Sequence, residues 1–331
     1  MKIKLPRQFD LSTVNTFVLT LAEFAHIDED VYIDFSGLYY SYPFSMLAIG
    51  SGIRQFVSIR KRNGLNTFVK GIDGRNVHSY LAHIGFFDYI FYQSVKKMGQ
   101  ARGSATYIPI KKLNKYALLA QISPPYILLR HVILQESKKL ASIILNNNNE
   151  NEESHKILSY CIREIIRNVF EHSRCDDCFI FGQRWYDGTV EISIVDEGIG
   201  IEQSLNERYS INSSREAINL ALEPGVSRVS SIDNIQDNIH DNSGFGLYIL
   251  KRIGDEYGWF VIGSKEFQVS LQNGNVSEDE TSFNGTYVGL NLNRIPHNFS
   301  KKLEEIIYEG EYEAHLMGRN RTASASSREF F

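Results

Sequence analysis

Three polar residues recur at a four-residue spacing in the middle of the chain. Glu164, Asn168 and His172 follow one another at this spacing, beside an apolar series that includes Ile165. Because four residues make about one turn of an α-helix, the three polar side chains share one stripe of a helix whose neighbouring stripe is buried. The spacing therefore predicts a helix over residues 160–172 in which a carboxylate, an amide and an imidazole face one site.

A hairpin and a glycine-rich turn follow this helix. Residues 178–195 alternate between apolar and polar side chains on either side of a turn at Asp187. Directly after the second strand come Asp196, Gly198 and Gly200, in the sequence DEGIG. An acid at a strand end can read the edge of a base, and two glycines let the backbone pass close to a planar ligand. Together with the helix, this segment is typical of one half of a nucleotide pocket.

A second glycine cluster opens a later helix. In residues 242–253, Gly244 and Gly246 precede an amphipathic series that carries Leu247 and Leu250. Backbone N–H groups at a helix start, with the helix dipole behind them, suit phosphate oxygens. This cluster therefore predicts a phosphate contact.

The order of these pieces resembles the GHKL, or Bergerat-fold, family of ATP-binding proteins. The order is a helix with Glu164 and Asn168, a D-x-G-x-G turn, a long polar insertion, a G-x-G that opens a helix, and strands that end at Gly285-Thr286. Each motif alone is a weak signal, but all of them occur in order over residues 153–293, an ordinary domain length. The resemblance implies a two-layer α/β sandwich of the Bergerat type.

The resemblance also implies roles for the residues of the polar stripe. Asn168 would bind Mg²⁺ through its amide oxygen, and Glu164 would orient and deprotonate the attacking water or hydroxyl. His172 would contact phosphate, or it is a helix-end histidine that interacts with the carbonyl dipole. Without the glycine motifs, the acid and the amide could equally be a solvated helix face.

The glycine motifs receive the other roles. Asp196 would accept a hydrogen bond from the adenine amino group, with Gly198 and Gly200 beside the ring and Thr286 assisting through a water. The residues assigned to the phosphate contact are Ser243, Gly244, Phe245, Gly246 and Leu247. ATP and Mg²⁺ are therefore the expected cofactors.

Departures from the family pattern indicate which branch of the GHKL family the chain resembles. The polar segment 201–242 fits the family's lid over the nucleotide. Histidine kinases usually carry Lys or Arg three positions after the Asn, where this chain has Glu171, and His131 lacks the neighbours of a phosphoacceptor box. His172 is closer to the anti-sigma-factor kinase branch, although those kinases are short single-domain proteins.

The cysteines offer an alternative reading as a metal or redox site. Cys175 and Cys178 form a C-x-x-C that could bind zinc with His172 or Cys161. No second C-x-x-C or H-x-x-x-H follows at zinc-finger spacing, and Cys178 begins a strand where packing explains it. Three cysteines in all favour a reducing compartment.

Composition limits the class of protein. The chain has 331 residues, 43% of them hydrophobic and 22% charged, with a net charge of −4 and a pI of about 6.2. No apolar run approaches the roughly 18 residues needed to cross a bilayer. The amino terminus also lacks a signal-peptide core, which predicts a cytoplasmic protein without a membrane partner. The mild acidity argues against a nucleic-acid protein held by phosphate contacts.

The amino-terminal residues have their own alternation of strands and helices. Strands are predicted over residues 31–35 and 66–71, and helices over residues 43–60 and 76–81. This order predicts an α/β layer with a partly parallel sheet. It is similar to the STAS fold of anti-sigma-factor antagonists, in which a strand that ends in Asp and Ser-Gly-Leu leads into a helix.

In those antagonists, a serine near the start of the first helix is phosphorylated. Ser41 and Ser45 lie at this place, but Tyr42-Pro43 replaces the usual small residues around the acceptor. Helix capping or packing is therefore the expected role of both serines.

The whole sequence thus predicts a mixed α/β (α+β) chain of four segments. These are a STAS-like α/β domain (1–92), a helical connector (93–152), a GHKL ATP-binding domain (153–293), and a carboxyl-terminal helix with a disordered tail (294–331). The expected function is a Mg-dependent ATPase switch whose lid couples nucleotide state to a protein partner or to dimerisation. A serine/threonine protein kinase of the anti-sigma-factor type and a nucleotide-binding module without turnover are the alternatives. Glu164 argues against the last, because pure binding needs no base.

Overall fold

The computed structural model shows a chain of mixed α/β class with parallel and antiparallel sheets, which confirms the fold class at that level. The described residues are 1–92, 97, 98, 103, 106–120, 129–227, 243–295, 297–324 and 328. Within these ranges, none of the helices is both long and apolar enough to cross a membrane.

A small parallel sheet forms the centre of the amino-terminal unit, which we define as residues 1–92. Its strands lie in the order β1 (Lys2–Lys4), β3 (Val31–Asp34) and β5 (Thr67–Lys70), and a second parallel pair joins β2 (Gln8–Phe9) to β4 (Tyr40–Ser41). The helices of the unit are α1 (Leu11–Phe24), α2 (Pro43–Arg62), α3 (Asn76–His83) and α4 (Phe86–Tyr89). The predicted partly parallel sheet is confirmed.

The central sheet is antiparallel and contains the predicted hairpin. Its strands lie in the order β6 (Tyr107–Asn114), β7 (Asp177–Arg184), β8 (Val190–Asp196), β10 (Asn275–Leu292) and β9 (Gly258–Gln272). Strand β6 lies in the expected helical connector, so this segment also supplies one edge of the sheet. Pro109 weakens the strand pattern of that segment in the sequence, and it is tolerated because an edge strand can leave an N–H position unpaired.

Helices cover one face of the central sheet. The helices that pack directly on it include α7 (Glu153–His172) and α10 (Gly246–Tyr257). The remaining helices are α5 (Lys115–Ala120), α6 (Leu129–Leu145), α8 (Gly200–Leu205), α9 (Ser214–Ala221) and α11 (Phe299–Leu316). Ile165 of α7, Ile192 of the sheet and Ile249 of α10 belong to one buried cluster. The predicted helix over residues 160–172 is confirmed as part of α7.

The amino-terminal unit covers the opposite face of the central sheet. Side chains alternate along β8, so Ile192 and Ile194 face the helices, whereas Glu191 and Val195 face the unit. The aromatic residues that the sheet contributes to the buried core of the unit are Phe179, Phe181, Phe283 and Tyr287. The described chain is therefore layered as helices, central sheet and amino-terminal unit.

The carboxyl-terminal helix α11 holds the residues that follow it. The Ala323 N–H donates to a Glu311 carboxylate oxygen at 2.8 Å, and both Ala323 and Ser324 are buried. Ala323 and Ser324, expected in a disordered tail, are therefore packed, because small side chains fit closely against a helix, whereas the neighbouring Thr322 is exposed. The rest of the expected tail, 325–327 and 329–331, lies outside the described residues.

Candidate functional site

A cavity lies between helix α7, helix α10 and the loop that follows β8. It spans about 890 Å³, a figure that includes space open to solvent. The predicted residues that line it are Asn168, His172, Asp196, Gly200, Gly244, Gly246, Leu247 and Thr286. The tertiary structure thus brings both glycine motifs and part of the polar stripe to one place. The predicted residues that lie outside the lining are Glu164, Gly198, Ser243 and Phe245.

Asp196 is a buried hydrogen-bond acceptor at the end of β8. It lies opposite Thr286 of β10 in the strand register, and its Oδ1 accepts the Gly198 N–H at 2.9 Å. Burial raises the pKa of Asp196 to about 7, and hydrogen bonds from Gly198 and Thr286 oppose this rise only in part. An additional donor in the cavity would therefore stabilise the ionised carboxylate.

Apolar side chains form much of the cavity wall. They are Ile165, Val169, Ile194, Ile262 and Val288. These side chains cannot form hydrogen bonds, so polar recognition would rest on Asp196 and Thr286, together with the hydroxyl-bearing Ser173 and Ser204 of the same lining. Such a surface suits a flat ring with one polar edge.

Gly200 occupies a position that excludes any side chain. Its φ is 79°, and a Cβ would lie 2.7 Å from Ser264 Oγ. This hydroxyl accepts the Ile201 N–H at 3.0 Å and donates to the Gly285 carbonyl at 2.7 Å. Ser264 therefore ties the first glycine motif to the strand that carries Thr286. A single serine inside a strand carries no sequence signal for this role.

The predicted residues outside the cavity have structural environments of their own. Gly198 lies against the Ser173 carbonyl, where a Cβ would overlap. The Phe245 side chain is fully buried in the core beneath α10. Ser243, which comes just before the second glycine motif, is half-buried. These residues shape the two glycine motifs without lining the space between them.

Gly244 connects the second glycine motif to the predicted lid. Its φ is 79°, and its carbonyl accepts the Gly225 N–H at 3.1 Å. A Cβ at this position would overlap the Val226 carbonyl. The close backbone approach therefore requires glycine and holds the Gly225-Val226 part of the predicted lid beside the start of α10.

The described part of the predicted lid is folded. Helices α8 and α9 and the segment up to Ser227 form a small apolar cluster. Its buried members are Leu205, Ile211, Ala217, Ala221 and Val226. The remaining lid residues, 228–242, lie outside the described residues.

Glu164 is fully buried behind the cavity wall. Its Oε1 accepts from Arg163 Nη2 at 2.6 Å and lies 3.5 Å from Arg167 Nη1. Its Oε2 has no hydrogen-bond partner among the described residues. A Cβ on Gly246 would overlap this oxygen, so Gly246, which lines the cavity, lies directly against the carboxylate. The predicted base is thus held in ion pairs that its spacing in the sequence does not indicate.

Asn168 presents an amide to the cavity. Its Nδ2 is buried and has no hydrogen-bond partner in the described part of the chain. Buried polar atoms in proteins are normally paired, so this nitrogen could donate to a ligand, whereas only the amide oxygen of the same group could bind a metal ion. No group of His, Cys, Asp or Glu side chains that could hold a metal ion occurs within the described ranges. A Mg²⁺ ion that took its other ligands from phosphates and water would fit Asn168 as its one protein ligand.

The cysteines are free thiols. Cys161 and Cys178 are buried in the core on the helical side of the central sheet, and Cys175 is half-buried. Burial raises the pKa of the Cys178 thiol well above its usual value. A protonated thiol in an apolar environment is a poor metal ligand and a poor nucleophile.

The amino-terminal unit contacts the first glycine motif through Glu197. This carboxylate accepts from Ser51 Oγ at 2.9 Å and from Arg54 Nε at 2.8 Å, both on α2. Arg54 also donates to the Tyr89 carbonyl at 2.7 Å. Since Glu197 directly follows Asp196, the unit holds the loop of the cavity from the other side of the sheet.

The two candidate phosphorylation serines lie in the amino-terminal unit. Ser45 is 1% exposed on the first turn of α2. Ser41 Oγ is buried without a hydrogen-bond partner among the described residues. Helix α2 begins without a side-chain capping bond, so packing is the role that the structure gives Ser45.

No protein-family model, curated protein or solved structure matches the chain. Any functional assignment must therefore be argued from the residues of the cavity.

Proposed function

We propose that the cavity binds ATP and that the chain is an ATP-binding protein of the GHKL type. The observation that carries the proposal is the position of Asp196. This buried carboxylate lies opposite Thr286 and lines the same cavity as Asn168 and the start of α10. A base-reading acid, an amide and free helix N–H groups are the groups that a purine nucleotide with bound Mg²⁺ requires.

Each end of the cavity suits one part of the nucleotide. Asp196 would accept the adenine amino group, with the ring on the apolar wall beside Gly200. The N–H groups of Gly246 and Leu247, at the start of α10, would bind phosphate oxygens. Asn168 would contribute its amide oxygen to Mg²⁺, which neutralises phosphate charge when it is bound.

The layering supports a Bergerat-type domain and a STAS-like unit. The central sheet is antiparallel and carries α7 and α10 on one face. In the amino-terminal unit, parallel strands alternate with helices, and β3 ends at Asp34 before the turn that leads to α2. We propose these assignments for the two parts of the chain.

Turnover requires Glu164 to reach the cavity. We propose a slow ATPase switch in which Glu164 leaves its ion pair with Arg163 when nucleotide binds. The Glu197 contact with α2 would then pass the nucleotide state to the amino-terminal unit, to a protein partner or to a second copy of the chain. The ion pairs of Glu164 favour a second candidate, which is nucleotide binding without turnover. Either function fits a cytoplasmic protein.

The test is incubation of the full chain with γ-labelled ATP and Mg²⁺, following free phosphate and label on protein separately. Glu164→Gln is compared with wild type and with Glu304→Gln, an exposed carboxylate on α11. Circular dichroism melting confirms that each variant is folded. Free phosphate that is lost only in Glu164→Gln supports the ATPase switch, whereas bound ATP without any product supports binding alone. Label on protein would assign a kinase, and wild type that binds no ATP would overturn the proposal.

A further inference from the structure

A second cavity lies at the seam between the amino-terminal unit and the central sheet. It encloses about 960 Å³, counting its solvent-open part. It lies on the face of the sheet opposite the first cavity, because Glu191 lines it and points toward the unit. Both layers contribute side chains, so the cavity exists only when the unit is docked on the sheet.

Four aromatic rings line this seam cavity: Tyr40, Tyr42, Trp185 and Trp259. The rings of Tyr40 and Tyr42 are 4.8 Å apart and nearly perpendicular. Trp185 and Trp259 are the only tryptophans in the sequence, and both are half-buried here. Aromatic faces attract cations through their quadrupole, and tryptophan does so most strongly.

The charged side chains in the lining are all acids. They belong to Asp10, Asp187 and Glu191, and no Lys, Arg or His belongs to the described lining. The seam cavity therefore combines aromatic faces with negative potential and has no positive charge of its own.

Glu191 is the most informative of these acids, because it is 3% exposed. Its Oε1 accepts the Phe44 N–H at 2.7 Å, at the start of α2. No basic side chain of the described chain offsets its charge, and burial raises its pKa to about 7. A buried carboxylate without a counter-ion therefore either takes up a proton or is stabilised by a ligand that supplies positive charge.

We propose that the seam cavity binds an organic cation, either an amine or a methylated ammonium group. The charged group would lie among the four aromatic rings, with Glu191 as its counter-ion and with Asp10 and Asp187 adding negative potential. This site is separate from the proposed nucleotide site and does not depend on it.

Intrinsic tryptophan fluorescence tests the proposal directly, because both tryptophans line the seam cavity. The full chain is titrated with choline in an amine-free buffer, at a pH above about 7 so that Glu191 is ionised. The control ligand is dimethylbutanol, in which carbon replaces the quaternary nitrogen. We expect a saturable signal for choline and about tenfold or more weaker binding of the uncharged isostere. Equal responses to the two ligands would overturn the proposal.

Glu191→Gln removes the negative charge and keeps the shape of the side chain. Its amide oxygen can still accept the Phe44 N–H. We expect about tenfold weaker choline binding by calorimetry, while Glu304→Gln binds as wild type does. Asp187→Asn, at the exposed hairpin turn, gives a second charge variant that does not depend on the buried position. Unchanged affinity in both charge variants would contradict the proposal.

Small free amines and the cationic side chains of peptides both carry such a positively charged nitrogen. A second titration distinguishes the two kinds of ligand. Butylamine is compared with a short peptide that carries one trimethyllysine. Tighter binding of the peptide assigns the site to a protein partner, and tighter binding of choline or butylamine assigns it to a small metabolite. The absence of a saturable response to choline, butylamine and the peptide by folded protein would refute the site.

Discussion

Replacing the Asp196 carboxyl by an amide should make the empty protein more stable and make it bind ATP less well. The wild-type carboxyl is 2% exposed, and burial raises its pKa from 3.8 to about 7. A carboxyl with a raised pKa in the folded state binds its proton more tightly there than in the unfolded chain. The free energy of unfolding therefore falls as the pH rises from about 4 to about 7.

The magnitude follows from this difference in pKa. Since each pKa unit corresponds to about 1.4 kcal/mol, the ionisation of Asp196 lowers the free energy of unfolding by about 4 kcal/mol at about pH 8. At about pH 5, the ionisation of Asp196 lowers the free energy of unfolding by only about 1.5–2 kcal/mol. The amide of the Asp196→Asn variant does not titrate, so the stability gap between the variant and wild type should widen by about 2–3 kcal/mol over this range.

Urea denaturation at several pH values measures this gap. Other titrating groups, such as Glu191, are present in both proteins and cancel in the difference. Glu304→Gln is the control, and its difference from wild type should stay constant with pH. Parallel stability curves for Asp196→Asn and wild type would refute the assignment of a raised pKa to this carboxyl.

The same variant tests recognition of the base. A hydrogen bond to a charged acceptor contributes about 1.5–3 kcal/mol, so ATP affinity should fall by roughly ten- to a hundredfold. Calorimetric titration at about pH 8 measures it. Equal ATP affinity in wild type and Asp196→Asn would remove the adenine assignment even if the stability gap widens as expected.

Three further substitutions address the rest of the site, and Gly74→Ala is the control for one of them. Glu164→Gln should abolish phosphate release and keep ATP binding. The loss of the ion pairs of Glu164 should also lower the free energy of unfolding by about 3 kcal/mol. Phosphate release at the wild-type rate would exclude Glu164 as the base. Gly244→Ala should cost about 2 kcal/mol or more in urea denaturation, because it adds an overlap to a positive φ. Gly74→Ala, with φ 77° in open space, should cost only about 1 kcal/mol, and equal costs would contradict the overlap. Arg54→Met should lower ATP affinity in equilibrium titration, since it releases Glu197 beside the cavity; unchanged affinity would show that the amino-terminal unit does not support the site.

Local patterns predicted the elements that position the site. The stripe of Glu164, Asn168 and His172 depends only on helical periodicity, and α7 contains it. The hairpin and the helix after Gly246 follow from alternation and from glycine, which act over a few residues. The resemblance to the GHKL family, which rests on the order of these motifs, was the basis for predicting that the two glycine motifs meet.

These local patterns could not predict contacts between segments that are distant in the sequence. Strand β6 carries Pro109 and becomes a strand because the edge of the central sheet accepts it. Ser264 and Glu197 look ordinary in the sequence, and they gain their roles from partners far away in the chain. The packing of Ala323 and Ser324 likewise depends on α11.

The sequence by itself determined the secondary structure around the site and the positions of its two glycine motifs, because periodicity and glycine conformation are local properties. Only the tertiary structure decided that Glu164 is held in ion pairs behind Gly246 and that Asp196 is buried with a raised pKa. It alone decided that the amino-terminal unit covers the central sheet and encloses the seam cavity. Burial, ion pairing and cavity shape depend on which surfaces meet, and residues far apart in the chain decide that together.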